Sequence, residues 1–166
     1  MLKPLTLAIC LASPFAHAEQ CPWMPDSRID DAFPDRAPWT TMTGGQGRCK
    51  FVSDERRPSS VLSLTKIIRA SPQAAEQYVK TVSSEMAKTY RVKPVTALGK
   101  AGVAVRQDDA PDSSMLTLIG HRKNIVVMTQ MSFYGGVNEP QQAKALELTT
   151  ETFGIDTGGG LRIPSQ

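Results

Sequence analysis

Histidine is almost missing from this sequence, with only His17 and His121 in 166 residues. Cysteine is nearly as rare, represented by Cys10, Cys21 and Cys49. Beyond a short apolar stretch near the start, no run approaches the roughly 20 apolar residues that a membrane-spanning helix needs. Neither sign of charge dominates, with 19 basic and 16 acidic side chains. There is no internal repeat and no interdomain linker. Each shortage excludes something. Nucleophilic catalysis needs a nucleophile, a base and an orienting group within reach, and one remote histidine is a thin supply. A thiol metal site needs more ligands than two cysteines offer. So small a charge excess does not argue for nucleic acid. The sequence therefore names no catalytic residue, no metal ligand and no cofactor.

What is present begins with a compartment signal. Met1-Leu2-Lys3 is a short basic start, and an apolar run of about 12 residues follows from Pro4 to Phe15. Ala16-His17-Ala18 then places small residues at the two positions a signal peptidase reads, before Glu19. Residues 1–18 are expected to be a cleaved signal peptide, cut between Ala18 and Glu19, with the product periplasmic or secreted. The competing readings are a membrane anchor, for which the run is too short, and a lipobox at Leu7-Ala8-Ile9-Cys10, in which Ile9 is too large. Cleavage removes Lys3 and no acid, so 19 basic side chains become 18 against 16 acidic, a net charge of +2.

Two cysteines remain, Cys21 and Cys49, enclosing 27 residues. Outside the cytoplasm they are expected to pair. In the chain-entropy picture a loop of that length contributes ~3–4 kcal/mol.

Along the chain, residues 19–155 read as one α+β domain and 156–166 as a flexible tail. Asp26 precedes a short amphipathic helix with Ile29, Ala32 and Phe33 on one side, ended by Pro34. Strands are expected at about 38–43, 48–54 and 60–69, the first two joined by the turn Gly44-Gly45-Gln46-Gly47. Ser71-Pro72 opens a helix expected to reach about Tyr90, with Ala75, Tyr78, Val79, Val82, Met86 and Tyr90 as its apolar stripe. Further strands are expected at about 93–97, 102–107, 115–120 and 124–133. The last two form a hairpin across His121-Arg122-Lys123. A final helix over about 139–153 is expected to turn Ala143, Leu146, Thr150 and Phe153 inward. Strands in runs between two long helices predict an antiparallel β-sheet with both main helices on one face. The short N-terminal helix is pinned to it by the disulfide.

This order, with Cys21…Phe33-Pro34…Pro38-Trp39…Gly44-Gly45-Gln46-Gly47-Arg48-Cys49-Lys50-Phe51 and Leu98-Gly99-Lys100-Ala101-Gly102-Val103, resembles small secreted proteins of PsbP-like fold, including envelope lipoproteins of the LpqN type. The resemblance spans about residues 21–153 and lacks the lipoproteins' lipobox. It implies a helix-backed sheet and a binding or accessory role, and carries over no functional residue.

The candidate sites are modest. His121 reads as a turn residue. Asp30-Asp31 and Asp108-Asp109 are adjacent acids in turns, carboxylate pairs of the kind a hydrolase could use. The glycines at 44–47 precede a strand, so they do not make a phosphate loop. Met128 and Met131 lie three apart on a strand and so face opposite ways, which is wrong for a shared copper ion. The strand at 125–134 is more informative. Ile125, Val127, Met131 and Phe133 share one face and Val126, Met128 and Tyr134 the other. That second face is either covered by the 21–35 segment or left open to dock a partner. With the cations Arg56, Arg57, Arg122 and Lys123 in loops, Val126, Met128 and Tyr134 form the candidate binding set. The leading expectation is a non-enzymatic interaction or accessory protein that binds another envelope component. The alternatives are an immunity protein or inhibitor of an exported toxin or enzyme, and a small hydrolase working through loop carboxylates.

Overall fold

The computed structural model describes residues 20–53, 59–110, 113–155 and 161–162, and for 108–110, 113–114 and 161–162 the backbone only. The elements run α1 (Asp26–Ala32), β1 (Thr40–Thr43), β2 (Arg48–Ser53), β3 (Ser60–Ile68), α2 (Pro72–Ala87), β4 (Arg91–Pro94), β5 (Val103–Ala110), β6 (Ser113–Arg122), β7 (Ile125–Tyr134), α3 (Glu139–Gly154) and β8 (Leu161–Arg162). Seven strands form an antiparallel sheet in the order β1-β2-β3-β7-β6-β5-β4. The chain is α+β, as the pattern of strands and helices predicts.

Sheet order follows from one crossover. β3 pairs antiparallel with β7, and antiparallel pairing continues through β6 and β5 to β4. β3 and β4 therefore point the same way at different places in the sheet, and α2 carries the chain between them. Ser71 starts α2, its side chain accepting from the Ala74 N–H at 3.1 Å, with Pro72 in the first turn. Ala75 and Val79, one turn apart, are its buried residues. They join Ile67, Ile119 and Val126 in one apolar cluster. α3 belongs to a different cluster. Ala145, Leu148 and Phe153 pack with Leu62, Leu64, Leu116, Leu118, Val127 and Met131. Val126 and Val127 are consecutive on one strand, so the two clusters lie on opposite faces.

Here the structure corrects the expected layering. The main helices do not share a face: α3 and α1 cover one side, and α2 covers part of the other. The reason lies in the central strands, which are apolar along most of one face and at the Ile67–Val126 end of the other, so both sides need cover. The 21–35 segment joins α3, not the second face. Cys49 and Phe51 point to the α3 side of β2, opposite Leu64 and Leu62 of β3, so the Cys21–Cys49 disulfide, with Cα atoms 5.6 Å apart, holds the segment there. Around it Phe33 meets Phe133 edge-on at 5.3 Å, and Trp39 lies 5.7 Å from Phe133. The Trp39 N–H donates to Asp30 Oδ1 at 2.7 Å, and Trp23 Nε1 donates to Gly45 O at 2.9 Å.

α3 also turns a different stripe inward. Gln141, Ala145, Leu148, Thr149, Thr152 and Phe153 are buried, whereas Ala143 is exposed and Leu146 and Thr150 are half-buried. Apolarity alone misplaces this face because threonines carry it. Thr149 donates to Ala145 O at 2.6 Å and Thr152 to Leu148 O at 2.8 Å, so their hydroxyls are satisfied inside the helix. Leu161 and Arg162, expected in a loose tail, instead pair in parallel with Ile67 and Ile68.

Replacing Cys21 and Cys49 together by Ser is expected to lower the unfolding free energy by ~3 kcal/mol. Urea denaturation measures it. A loss below ~1 kcal/mol would mean that aromatic packing alone holds the segment.

Candidate functional site

The residues singled out along 125–134 are not brought together. Val126 is fully buried beneath α2, and Met128 is half-buried against the same cluster. Tyr134 stands at the far end of β7 and is 44% exposed. Arg122 reaches the opposite side of the sheet, its guanidinium carbon 5.1 Å from the Phe153 ring centre and Nη2 donating to Ala97 O at 3.3 Å. Lys123 is exposed in the hairpin turn with φ 51°. Arg56 and Arg57 lie outside the described residues. Met131 is buried in the α3-side core, apart from Met128. Asp30 is engaged with Trp39, and the side chains of Asp108 and Asp109 lie outside the described residues. Among the described residues no group of three or more His, Cys, Asp or Glu could hold a metal ion.

His121 is a strand residue opposite Val126, not part of the turn. Its carbonyl lies against Gly99, where φ is +101° and a Cβ would come within 2.3 Å of His121 O. Both ring nitrogens are buried with no hydrogen-bond partner.

The site with chemistry in it is elsewhere. α3 crosses the α3-side face above β4 and β5 and leaves a cleft of about 900 Å³. β4 forms the outer wall. Its period-two alternation puts Arg91 and Lys93 on the cleft side, and pairing with β5 sets Arg91 directly opposite Arg106 and Lys93 opposite Ala104. The inner wall is the first two turns of α3. Asn138 caps that helix, accepting from the Gln141 N–H at 2.9 Å while Gln141 Oε1 accepts from the Asn138 N–H at 3.1 Å. Arg106 is tied to the same helix start: Nη2 donates to Gln142 Oε1 at 2.7 Å and to Val137 O at 3.4 Å. Val95, Ala104, Val137, Ala143 and Leu146 supply the apolar lining.

Like charges directly opposite on neighbouring strands repel. None of the three cations is within ion-pair distance of a carboxylate among the described residues, although Glu139 lines the same cleft. The ion pairs of this side of the molecule are spent elsewhere. Arg28 on α1 bridges Glu147 at 3.0 Å and Glu151 at 2.8 Å, clamping α1 to α3. Hydrogen bonds from Lys144 and Arg28 hold the Glu147 carboxyl below the ordinary carboxylate range.

No protein-family model matches the chain, and no curated protein matches it. A solved structure from Bacteroides thetaiotaomicron VPI-5482 is similar over 64% of this chain, at 10% identity and a TM-score of 0.40. This chain spans 39% of that protein's length. A likeness so slight carries no argument about fold or function.

Sequence reading alone passed over the cleft. The visible signal was the alternation Arg91-Val92-Lys93, two cations on one face of a short strand. The partner that gives it meaning, Arg106, is set by strand register and cannot be counted off from spacing.

His121→Leu is expected to raise the unfolding free energy by about 1 kcal/mol, because it removes two buried polar atoms without partners and keeps most of the volume. Chemical denaturation decides it. A marked loss of stability would show that the ring nitrogens are satisfied in solution. Met131→Asp is expected to unfold the domain, since it buries an unpaired carboxylate on the core side. Tyr134→Asp is expected to change the melting temperature by only a degree or two.

Proposed function

We propose that this chain is an exported, non-catalytic binding protein that engages another envelope component through the cleft between α3 and β4–β5. The observation that carries the reading is the cleft's composition, an apolar lining under cations that have no carboxylate partner among the described residues. Concave sites with mostly apolar walls and a few convergent polar groups are the usual form of a small-ligand site, at about 300–1,000 Å³. Among the described residues Glu139 is the one acid in the lining, and no histidine or cysteine joins it. That composition suits holding better than cleaving.

Export rests on the leader-like residues 1–18 and is supported by the Cys21–Cys49 disulfide, a bond that forms and persists outside the reducing cytoplasm. Among the described residues no helix is long and apolar enough to cross a membrane. The resemblance to small secreted proteins of PsbP-like fold supports the same accessory role.

Ala143 is exposed on α3 and lines the cleft, so Ala143→Trp fills the site without touching the core. Protein isolated from the envelope fraction without detergent is expected to carry a bound component visible by native mass spectrometry. Ala143→Trp is expected to reduce that occupancy at least about tenfold with the melting temperature unchanged. Equal occupancy in both proteins would remove the cleft from the function.

A further inference from the structure

We propose that the cleft takes a single-chain amphiphile ending in an oxyanion, with the carboxylate or phosphate head between Arg91 and Arg106 and the chain along Val95, Ala143 and Leu146. This rests on reading the cleft as the binding site and names what occupies it.

The head end follows from the register. Arg91 and Arg106 face each other across β4 and β5 on the cleft side, with Lys93 one step further along the same face. Such a pair is unfavourable as it stands, and an oxyanion between the two guanidinium groups turns repulsion into two charge-assisted interactions. Arg106 is already oriented by Gln142 Oε1 and Val137 O through Nη2 alone. A guanidinium has five N–H donors, so others remain for a ligand. Arg91 is exposed and has no carboxylate partner among the described residues.

The tail end follows from the lining. Moving along α3 from Gln142 toward Leu146, and along β4 from Arg91 toward Val95, the walls change from charged, three cations against the single acid Glu139 among the described residues, to apolar. Val95 and Leu146 are only partly buried and pack on the main core, so they present apolar surface to the cleft. One end charged and the other apolar is the pattern of an amphiphile. A nucleotide is poorly matched, because among the described residues the lining has no aromatic ring on which a base could stack. An acidic peptide adding to the sheet edge is poorly matched too. β4 is four residues long and ends in Pro94, which has no N–H to offer a ladder.

The test uses calorimetric titration of the disulfide-bonded protein below micellar concentrations. Dodecyl phosphate and dodecanoate are expected to bind at least about tenfold more tightly than inorganic phosphate, and more tightly than dodecyltrimethylammonium by a similar factor. Their ranking tells a phosphate head from a carboxylate. Arg91→Glu is expected to weaken dodecyl phosphate at least tenfold and also to raise the melting temperature, because the new carboxylate pairs with Arg106. A purely structural role for Arg91 would not give those opposite signs. Inorganic phosphate binding as tightly as dodecyl phosphate would reduce the site to an anion patch. Equal binding of the trimethylammonium amphiphile would reduce it to an apolar trough. Capture of an acidic decapeptide in place of both dodecyl ligands would replace the proposal. Each of these results overturns it. If no amphiphile binds but Ala143→Trp still strips the envelope component, the ligand class is wrong and the cleft remains the binding site. If neither effect occurs, both readings fall.

Discussion

The two strands at the middle of the sheet carry apolar residues on both sides, most of one face and the Ile67–Val126 end of the other, and the architecture depends on that. Ile67 and Val126 are partners pointing one way, while Leu64 and Val127 point the other, all of them buried. A strand pair of this kind exposes apolar surface whichever side is left bare, at roughly 25 cal/mol for each Å². Cover is therefore needed twice, and the chain supplies it with different devices. The crossover from β3 to β4 lays α2 over one side. The return from β7 lays α3 over the other, helped by an N-terminal segment too short to pack alone and so fastened by Cys21–Cys49. Neither helix reaches every strand. Where α3 overhangs the thin edge made by β4 and β5, the small Ala104 and the cations Arg91, Lys93 and Arg106 leave space instead of core. The cleft is thus a consequence of covering the centre first.

The same constraint explains several buried polar groups. Lys66 lies on the α3 side of β3, among apolar neighbours, and its ammonium donates to Ile155 O at the end of α3. A cation at a helix C-terminus meets the orphaned carbonyls and the negative end of the helix dipole. Thr129 and Thr149 share a hydrogen bond of 2.7 Å between β7 and α3. These contacts fix where α3 begins and ends on the sheet, which apolar packing by itself does not do. Gly120 serves the same end. A Cβ there would come within 2.2 Å of Leu98 O, so only glycine lets the turn carrying the fully buried Leu98 close onto β6.

Much of this was legible in the sequence. The α+β class, the seven strands in order, the Ser71 helix start, the final helix and the cysteine pair follow from period-two alternation, a cap residue and cysteine count. These are local signals, and the local elements obey them. The side on which each helix lands was not legible. Alternation along 125–134 says that two faces differ, but which helix meets which face is decided by the crossover and by the disulfide, both long-range. The inward stripe of α3 escaped because Gln141, Thr149 and Thr152 look like surface residues until their hydrogen bonds are known. For a related reason Val126, Met128 and Tyr134 do not form one open surface. Their grouping assumes an uncovered second face, and α2 covers the half of it that contains Val126.

The cleft shows the limit most clearly. Arg91 and Arg106 are fifteen positions apart, and nothing in their spacing marks them as neighbours. Only the register of β4 on β5 makes them a like-charged pair. A sheet selected for stability alone gains by placing an acid at one of the two positions, because an opposite-charge pair across neighbouring strands contributes ~0.2–1 kcal/mol and a like-charge pair subtracts. β4 is an edge strand, and edge cations do protect against strand addition by other chains. That purpose is served by any exposed cation on the strand. It does not require a second arginine on the inner strand, oriented by the start of α3 and facing the first. Edge protection accounts for Arg91 and Lys93. Arg106, half-buried, ties the start of α3 through Gln142 and Val137, and the proposed oxyanion between the two arginines would give it a second role.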